Sequence, residues 1–372
     1  MKVLMTIPVK IGFDGMTKQI LSYSKYMDKT DVSIDLVSCR GLDEKIERQL
    51  KEADFAHVYR MEYRDTNQFK YFINLVKLMK KNKYDIIHTN GQSATLAVEL
   101  LAAKISGCRV RIVHAHSSQC KHIKIHNILK PLFMALYTDA IACSKKAGDW
   151  LFSGEKYWIL NNGVDVKLFQ FNNEKRNEYR NILKLEKGEV AIGNVAAFEP
   201  WKNHKFLIEV FDGLHKIDKK YKLFLFGIDG STKEDILKMI DEKKLQNVVI
   251  YMGTTDHIQD YIQAMDVMVL PSLYEGFPVT AVEWQASGVK CILSDTITKD
   301  TDIFGMVDFA PIDKGIQPWI EKLKNIDNDY IEERMNINTS EIFAKEGFDI
   351  RKNAEDLKSF YYRAIQKNRK RK

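Results

Sequence analysis

The sequence predicts an α/β protein of two domains, each a parallel sheet covered by helices on both faces. Three observations carry that reading. Apolar runs of strand length alternate with segments of helical period, the βαβα rhythm of parallel sheets. The rhythm stops across residues 166–188, which are polar, charged and strand-poor, and then restarts. The chain has 372 residues, beyond the size at which a single core usually stops growing.

In the first half, residues 2–7 read as a buried strand. Residues 16–27 read as a helix with Ile20, Tyr23, Ser24 and Met27 on one face. Strand 32–37, helix 67–81, strand 84–88, helix 94–105 and strand 109–114 follow, with short strands at 140–143 and 158–160. After the junction come strand 190–196, helix 204–215, strand 222–226, helix 233–244 and strand 248–251. Helix 258–264, strand 267–270, helix 279–287 and strand 291–293 continue the alternation. Residues 349–364 form a charged helix with Ile350, Leu357, Phe360 and Tyr361 as its apolar face. The domains are set at 1–168 and 169–348. Ligands of such sheets bind at the carboxyl ends of strands. Polar clusters fall there: Thr89-Asn90-Gly91, His114-Ala115-His116 and Asn161-Asn162-Gly163.

Composition narrows the class. Hydrophobic residues at 45% and charged residues at 29% suit two globular cores. The apolar stretch before Pro8 is too short for a signal peptide or a membrane span. Five scattered cysteines, Cys39, Cys108, Cys120, Cys143 and Cys291, form no CxxC pair and read as free thiols. The expectation is a soluble cytoplasmic protein. The formal charge is +7, part of it in the tail from Lys367 to Lys372. Such a tail is a solvated end or a loose contact with an anionic leaflet at the inner face of the membrane. No zinc-finger or RRM signature supports nucleic-acid binding.

The segment from Lys121 to Lys130 is basic and apolar together. It reads either as a face for a membrane surface or acceptor phosphate, or as isoleucines packed into the domain. His122 and His126, four apart, suggest zinc with His114 and His116, but no carboxylate or cysteine completes a familiar spacing. Asp300-Thr301-Asp302 reads as a loop, and no metal or other cofactor is expected.

The residues richest in chemistry are Pro271-Ser272-Leu273-Tyr274-Glu275-Gly276-Phe277-Pro278-Val279-Thr280-Ala281-Val282-Glu283. A strand ends just before them and a helix opens within them, so the amides near Phe277, Val279 and Thr280 suit an anion. Eight helical steps would put Glu275 and Glu283 about 12 Å apart. A glycosidase pair needs roughly 5–9.5 Å, which weakens a hydrolase reading. The bland alternative is that Glu275 caps a loop and Glu283 is solvated.

This stretch resembles the E-x7-E motif of the retaining glycosyltransferases of family 4, in the branch making exopolysaccharide and capsule. The resemblance covers nearly the whole chain, with pieces in order at 84–91, 111–117, 139–144, 159–165, 193–204, 249–253, 264–288 and 294–299. It implies the GT-B architecture: two Rossmann-like domains with parallel sheets facing across a cleft, the final helix (349–372) crossing back to the first domain. It implies that Glu275 holds donor-sugar hydroxyls, Glu283 the ribose, and the backbone at Gly253 the base. Asn194, Gly276, Phe277, Val279 and Thr280 fall in the same donor motifs. Lys202 matches a lysine that neutralises the leaving diphosphate. His116 matches a histidine near the reacting carbon. In the first loop, Ile11-Gly12-Phe13-Asp14-Gly15-Met16-Thr17, only Gly15 fits the family's phosphate-approaching glycines, and its neighbours serve equally as turn residues. The chain departs from the pattern at Ala197, where an arginine usually stands.

The expected function is transfer of a sugar, with retention, from a nucleotide sugar (a UDP-sugar on family grounds) to a glycan or lipid-linked acceptor. His116, Lys202 and Glu275 are the expected catalytic residues. The rival readings are a nucleotide-sugar epimerase or hydrolase, and a non-catalytic partner protein, which Ala197 favours.

Overall fold

The structure is a computed structural model that describes residues 1–12, 14–326 and 331–369. Phe13 of the first loop and the tail residues 370–372 lie outside the described residues. The chain divides into two compact units. One comprises Met1–Gly163 and the segment from Gly347; the other is Val164–Glu346.

The first unit holds seven strands: β1 (Lys2–Ile7), β2 (Ser33–Ser38), β3 (His57–Arg60), β4 (Ile86–Gly91), β5 (Val110–Ala115), β6 (Asp139–Ala142) and β7 (Trp158–Ile159). Their order is β3-β2-β1-β4-β5-β6-β7, and every pairing is parallel. β1 is buried on both faces and reads as a near-continuous apolar run, whereas β4, equally buried, carries His88, Thr89 and Asn90. The helix Ile350–Arg369 closes this unit, burying Ile350, Leu357 and Tyr361 in one cluster with Val3, Met5, Ile20 and Tyr23. Asn353 Nδ2 donates to Asn161 O at 2.9 Å, and Lys367 pairs with Asp139 at 2.7 Å. The tail therefore begins as docked helix, not as a free end.

The second unit holds β8 (Val190–Val195), β9 (Tyr221–Phe226), β10 (Val249–Gly253), β11 (Val267–Leu270), β12 (Lys290–Ser294) and β13 (Val307–Ala310). Their order is β10-β9-β8-β11-β12-β13, again parallel throughout. Each sheet changes winding direction once, between β1 and β4 and between β8 and β11. At such a switch the outgoing loops diverge and leave a crevice beyond the strand ends.

Some elements differ from their sequence reading. The strand read at 84–88 runs instead over Ile86–Gly91. Thr89 and Asn90 extend it because their side chains satisfy neighbouring carbonyls, Thr89 Oγ1 to Ile112 O at 3.1 Å and Asn90 Nδ2 to Thr6 O at 3.3 Å. β3 went unread because it is an exposed edge strand without apolar alternation. β13 and the helices Glu47–Ala53 and Lys145–Phe152 were likewise unread. The segment 121–130 lies mostly in a helix, Ile123–Leu136, and its isoleucines do not pack inward: Ile125 is 49% and Ile128 76% exposed. Asp300 and Thr301 sit in a 3-10 turn, and Asp302 Oδ1 accepts from the amides of Gly305 and Met306. No helix among the described residues is long and apolar enough to cross a membrane.

Candidate active site

The loops that leave β8 and β11, on either side of the second sheet's switch, are tied together. After β8 the chain makes a 3-10 turn, Pro200–Lys202, and Asn203 takes a left-handed φ of +58° before the helix His204–Ile217. Asparagine tolerates that conformation better than most residues. The turn aims Lys202 at Glu275, with Nζ 2.5 Å from Oε1. Ser272 Oγ donates to the same oxygen at 2.8 Å, and Leu273 N donates to Trp201 O at 2.8 Å. The loop after β12 joins them through Thr296 Oγ1, which donates to Ser272 O at 2.9 Å. Lys202 and Glu275 are 19% and 12% exposed, so their attraction is less screened than that of a surface pair. Glu275 Oε1 is doubly anchored, while Oε2 has no partner among the described residues and is open to a hydroxyl donor.

Four residues beyond Glu275 the helix Val279–Ala286 opens with no side-chain cap. Pro278 precedes it, and the amides of Val279 and Thr280 have no partner among the described residues. An uncapped helix start of this kind attracts anions. Gly276 is exposed, and a Cβ there would meet nothing within 4 Å, so local packing does not demand the glycine. Phe277 is half-buried beside it. Glu283 is only 6% exposed, which removes the alternative in which it is solvated. Because Glu275 lies in the loop and not on the helix, the helical separation between the two glutamates does not apply.

The neighbouring strand ends are equally close-built. A Cβ on Gly227 would lie 1.9 Å from Ala196 O, so the loops after β8 and β9 touch backbone to backbone beside Ala197. Gly227 N donates to Gly253 O at 2.9 Å, and Gly253 needs its glycine for a φ of +69°. Asn194 is wholly buried within the sheet, where its Nδ2 braces β8 to Val269 O on β11 at 2.8 Å. His204, which sequence reasoning passed over, stacks on Phe198 at 4.3 Å. Burial, aided by the Lys202 charge, pushes its pKa down to about 4.

The first unit brings its own residues together at the end of β5. His114 and His116, two apart on an extended strand, share a face, with ring centroids 4.1 Å apart. His88 on β4 stacks on the other side of His114 at 5.4 Å. Tyr361 of the C-terminal helix meets His88 edge-on, with its hydroxyl 2.6 Å from Nδ1. Burial holds all three imidazoles neutral: His88 and His116 are pushed down to about 3, and His114 well below its usual value. Asn90 Oδ1 lies 3.0 Å from His116 Nε2. Of this column the sequence reading had only the two β5 histidines. His88 stands two residues before Asn90 of the polar cluster Thr89-Asn90-Gly91 and repeats their spacing, a signal that could have found it.

In the first loop Gly15 opens the helix Gly15–Tyr26, but the preceding Asp14 already caps it. Asp14 Oδ1 accepts from the amides of Met16 and Thr17, both at 3.0 Å. Two of the amides a phosphate would use beside Gly15 are thus taken by a carboxylate of the chain itself. His126 is buried, accepts from Ala94 N and stacks on Trp150, whereas His122 is exposed. Among the described residues no group of three or more His, Cys, Asp or Glu is placed to hold a metal.

Residues 13–168 match the family model described as Glycosyltransferase Family 4, and residues 175–326 that described as Glycosyl transferases group 1. The chain belongs to the family 4 glycosyltransferases. It is 28% identical to a Bacillus subtilis (strain 168) protein named as the glycosyltransferase EpsF, over 96% of this chain and 95% of that one. It is 27% identical to the UDP-Gal:alpha-D-GlcNAc-diphosphoundecaprenol alpha-1,3-galactosyltransferase of Escherichia coli, over 78% and 79%. Anabaena HepE, solved in complex with UDP and glucose, shares the fold with a TM-score of 0.74 at 16% identity, over 97% of this chain and 99% of that one. The two parallel α/β units are those of the GT-B fold, and the family branch is that of exopolysaccharide and capsule synthesis.

Proposed function

We propose that this glycosyltransferase moves a sugar from a nucleotide sugar, preferentially a UDP-sugar, to a lipid-linked or glycan acceptor, with retention of configuration and without a metal. The observation that carries the reading is the Lys202–Glu275 pair at the switch of the second sheet, four residues before an uncapped helix start. A nucleoside diphosphate leaves as an anion, and a fixed cation with open amides stabilises that charge. Glu275 Oε2 takes hydroxyls of the donor sugar, and Glu283 those of the ribose. The donor's anomeric C–O bond breaks, and the acceptor oxygen forms the new one from the same face. The acceptor proton passes to the departing phosphate, so no residue becomes covalently attached. His116, on the first unit, is the remaining residue of the proposed catalytic set. The named relative that uses UDP-Gal and a diphosphoundecaprenol acceptor, and the UDP complex of HepE, support the donor and acceptor classes.

A lipid-linked acceptor places the reaction at the inner face of the membrane. The helix Ile123–Leu136 supports that placement, because Ile123, Ile125, Ile128 and Leu132 are exposed along it and Lys121 and Lys124 flank its start. Apolar side chains rimmed by lysine suit an anionic lipid surface.

The test is transfer of labelled sugar from a panel of UDP- and GDP-sugars into membrane lipid extract, with Lys202→Ala and Glu275→Ala alongside. Label entering the lipid phase from one donor, and lost in both variants, supports the reading. Free sugar or an isomerised donor would replace it with a hydrolase or epimerase. Donor binding without turnover would make the chain a partner protein. Ala197→Arg should raise turnover if a second cation at the diphosphate is what limits the rate; an unchanged rate would remove that explanation.

A further inference from the structure

We propose that Asn90 is a positioning residue for His116, fixing the orientation of its imidazole and its neutral tautomer with the proton on Nε2. This rests on the reading above, in which His116 is a catalytic residue, and adds the residue that positions it.

The argument starts from the Asn90 amide. Its Nδ2 lies 3.3 Å from Thr6 O and 3.4 Å from His88 O. Both are backbone carbonyls, which only accept, and an amide nitrogen only donates. Turned over, the amide would set its oxygen against two buried carbonyl oxygens, which repel it and offer it no proton. Chemistry therefore directs Oδ1 toward His116 Nε2, 3.0 Å away. An accepting oxygen there requires the imidazole proton on Nε2, and in a neutral ring the other nitrogen is then an acceptor.

That acceptor is unspent. His116 Nδ1 is closed to water and, among the described residues, has no hydrogen-bond partner; the same holds for both nitrogens of His114. A buried acceptor left without a donor is destabilising, and such groups in a native fold call for a reason. The ring cannot easily turn to relieve it. His114 stacks on it at 4.1 Å, and its own backbone amide donates to Gly91 O at 3.1 Å. The titratable groups behind it are His114, His88, Tyr23 and Tyr361, and none of these is an anion that would favour imidazolium. With Nδ1 closed off, the bond to Asn90 is what holds the ring's orientation and tautomer.

The test is a long-range proton–nitrogen NMR correlation on protein labelled with 15N in its histidine rings, His116 being assigned by its loss in His116→Gln. We expect His116 as pure Nε2–H tautomer in the wild type. In Asn90→Ala the signal should leave that pattern, and kcat should fall about tenfold while donor KM stays within about twofold. Asn90→Asp keeps an accepting oxygen, so Nε2–H should persist, with imidazolium forming at higher pH beside the new carboxylate. An Nδ1–H tautomer in the wild type, which needs no variant to observe, would overturn the proposal. So would an Asn90→Ala protein with tautomer and kcat both unchanged. A pure Nε2–H tautomer in a chain that transfers no sugar would support the Asn90 assignment and sink the transferase reading instead.

Discussion

The carboxyl ends of the two sheets are built on one plan and furnished in opposite ways. Both sheets are parallel, and both reverse their winding beside their first strand. At the first, the side chains are neutral: three imidazoles in a column, an amide, and a helix whose start its own Asp14 has capped. At the second, they are charged or open: a lysine against a glutamate, and a helix start with no cap. Topology decides where a crevice falls, and the side chains decide which charge it can meet. A column of neutral rings suits uncharged hydroxyls, whereas a fixed cation beside open amides suits a diphosphate.

The largest expected effect breaks the charged end. Lys202→Ala should lower kcat roughly 10²–10³-fold, the usual consequence of removing one preorganised donor to developing negative charge. The variant also leaves Glu275 without its cation, so a fluorescence melt should confirm folding before kcat is measured. A loss confined to KM would mean that Lys202 binds donor and transition state equally.

The second prediction separates the two units by acid. His88 and His116 have folded pKa values depressed from 6.5 to about 3. The unfolded chain then binds more protons, so their contribution to stability is complete above about 6.5 and is lost as pH falls toward about 3. His114 acts in the same direction, while the second unit has one closely comparable residue, His204, depressed to about 4. Hydrogen exchange read peptide by peptide should show β4, β5 and the helix Ile350–Arg369 losing protection first between pH 6.5 and 4. His114→Phe should flatten that loss. Equal loss in β8 and β11 would remove the column as its cause.

How much of this was legible follows from the same contrast. The alternation of strands and helices, the junction, and the loop from Pro271 to Glu283 could be read because apolar period and turn residues are local signals. Lys202 and Glu275 could be named by motif, but their direct contact could not, since 73 residues separate them. The imidazole column was half legible. His114 and His116 share a strand, whereas His88, Asn90 and Tyr361 join them only through sheet register and helix docking. Asp14 as a cap was readable from its place before a helix, yet the glycines beside it drew the eye to a phosphate. The outward face of Ile123–Leu136 was beyond sequence, because the same isoleucines could have packed inward.

That face carries the third prediction. Ile125→Ser with Ile128→Ser should reduce co-sedimentation with vesicles containing anionic lipid by about tenfold or more, given roughly 0.8 kcal/mol for each methylene withdrawn from water. Leu273→Ser, at a half-exposed residue of the second unit, should leave sedimentation unchanged and so confine the membrane contact to the first. Equal binding by the isoleucine variant would assign the face to something other than lipid.

The smallest effect asks whether the two helix starts are interchangeable. Asp14→Ala removes the carboxylate that holds the amides of Met16 and Thr17 and should cost about 1 kcal/mol of stability, the usual value of an N-cap. Donor KM should not change, because in the charged reading the diphosphate belongs to Lys202 and the start of Val279–Ala286. A lower donor KM would mean that the freed amides bind phosphate and that Asp14 restrains a second anion site. The first end would then be neutral only because its own aspartate occupies the place of a ligand, and the contrast between the two ends would rest on one side chain.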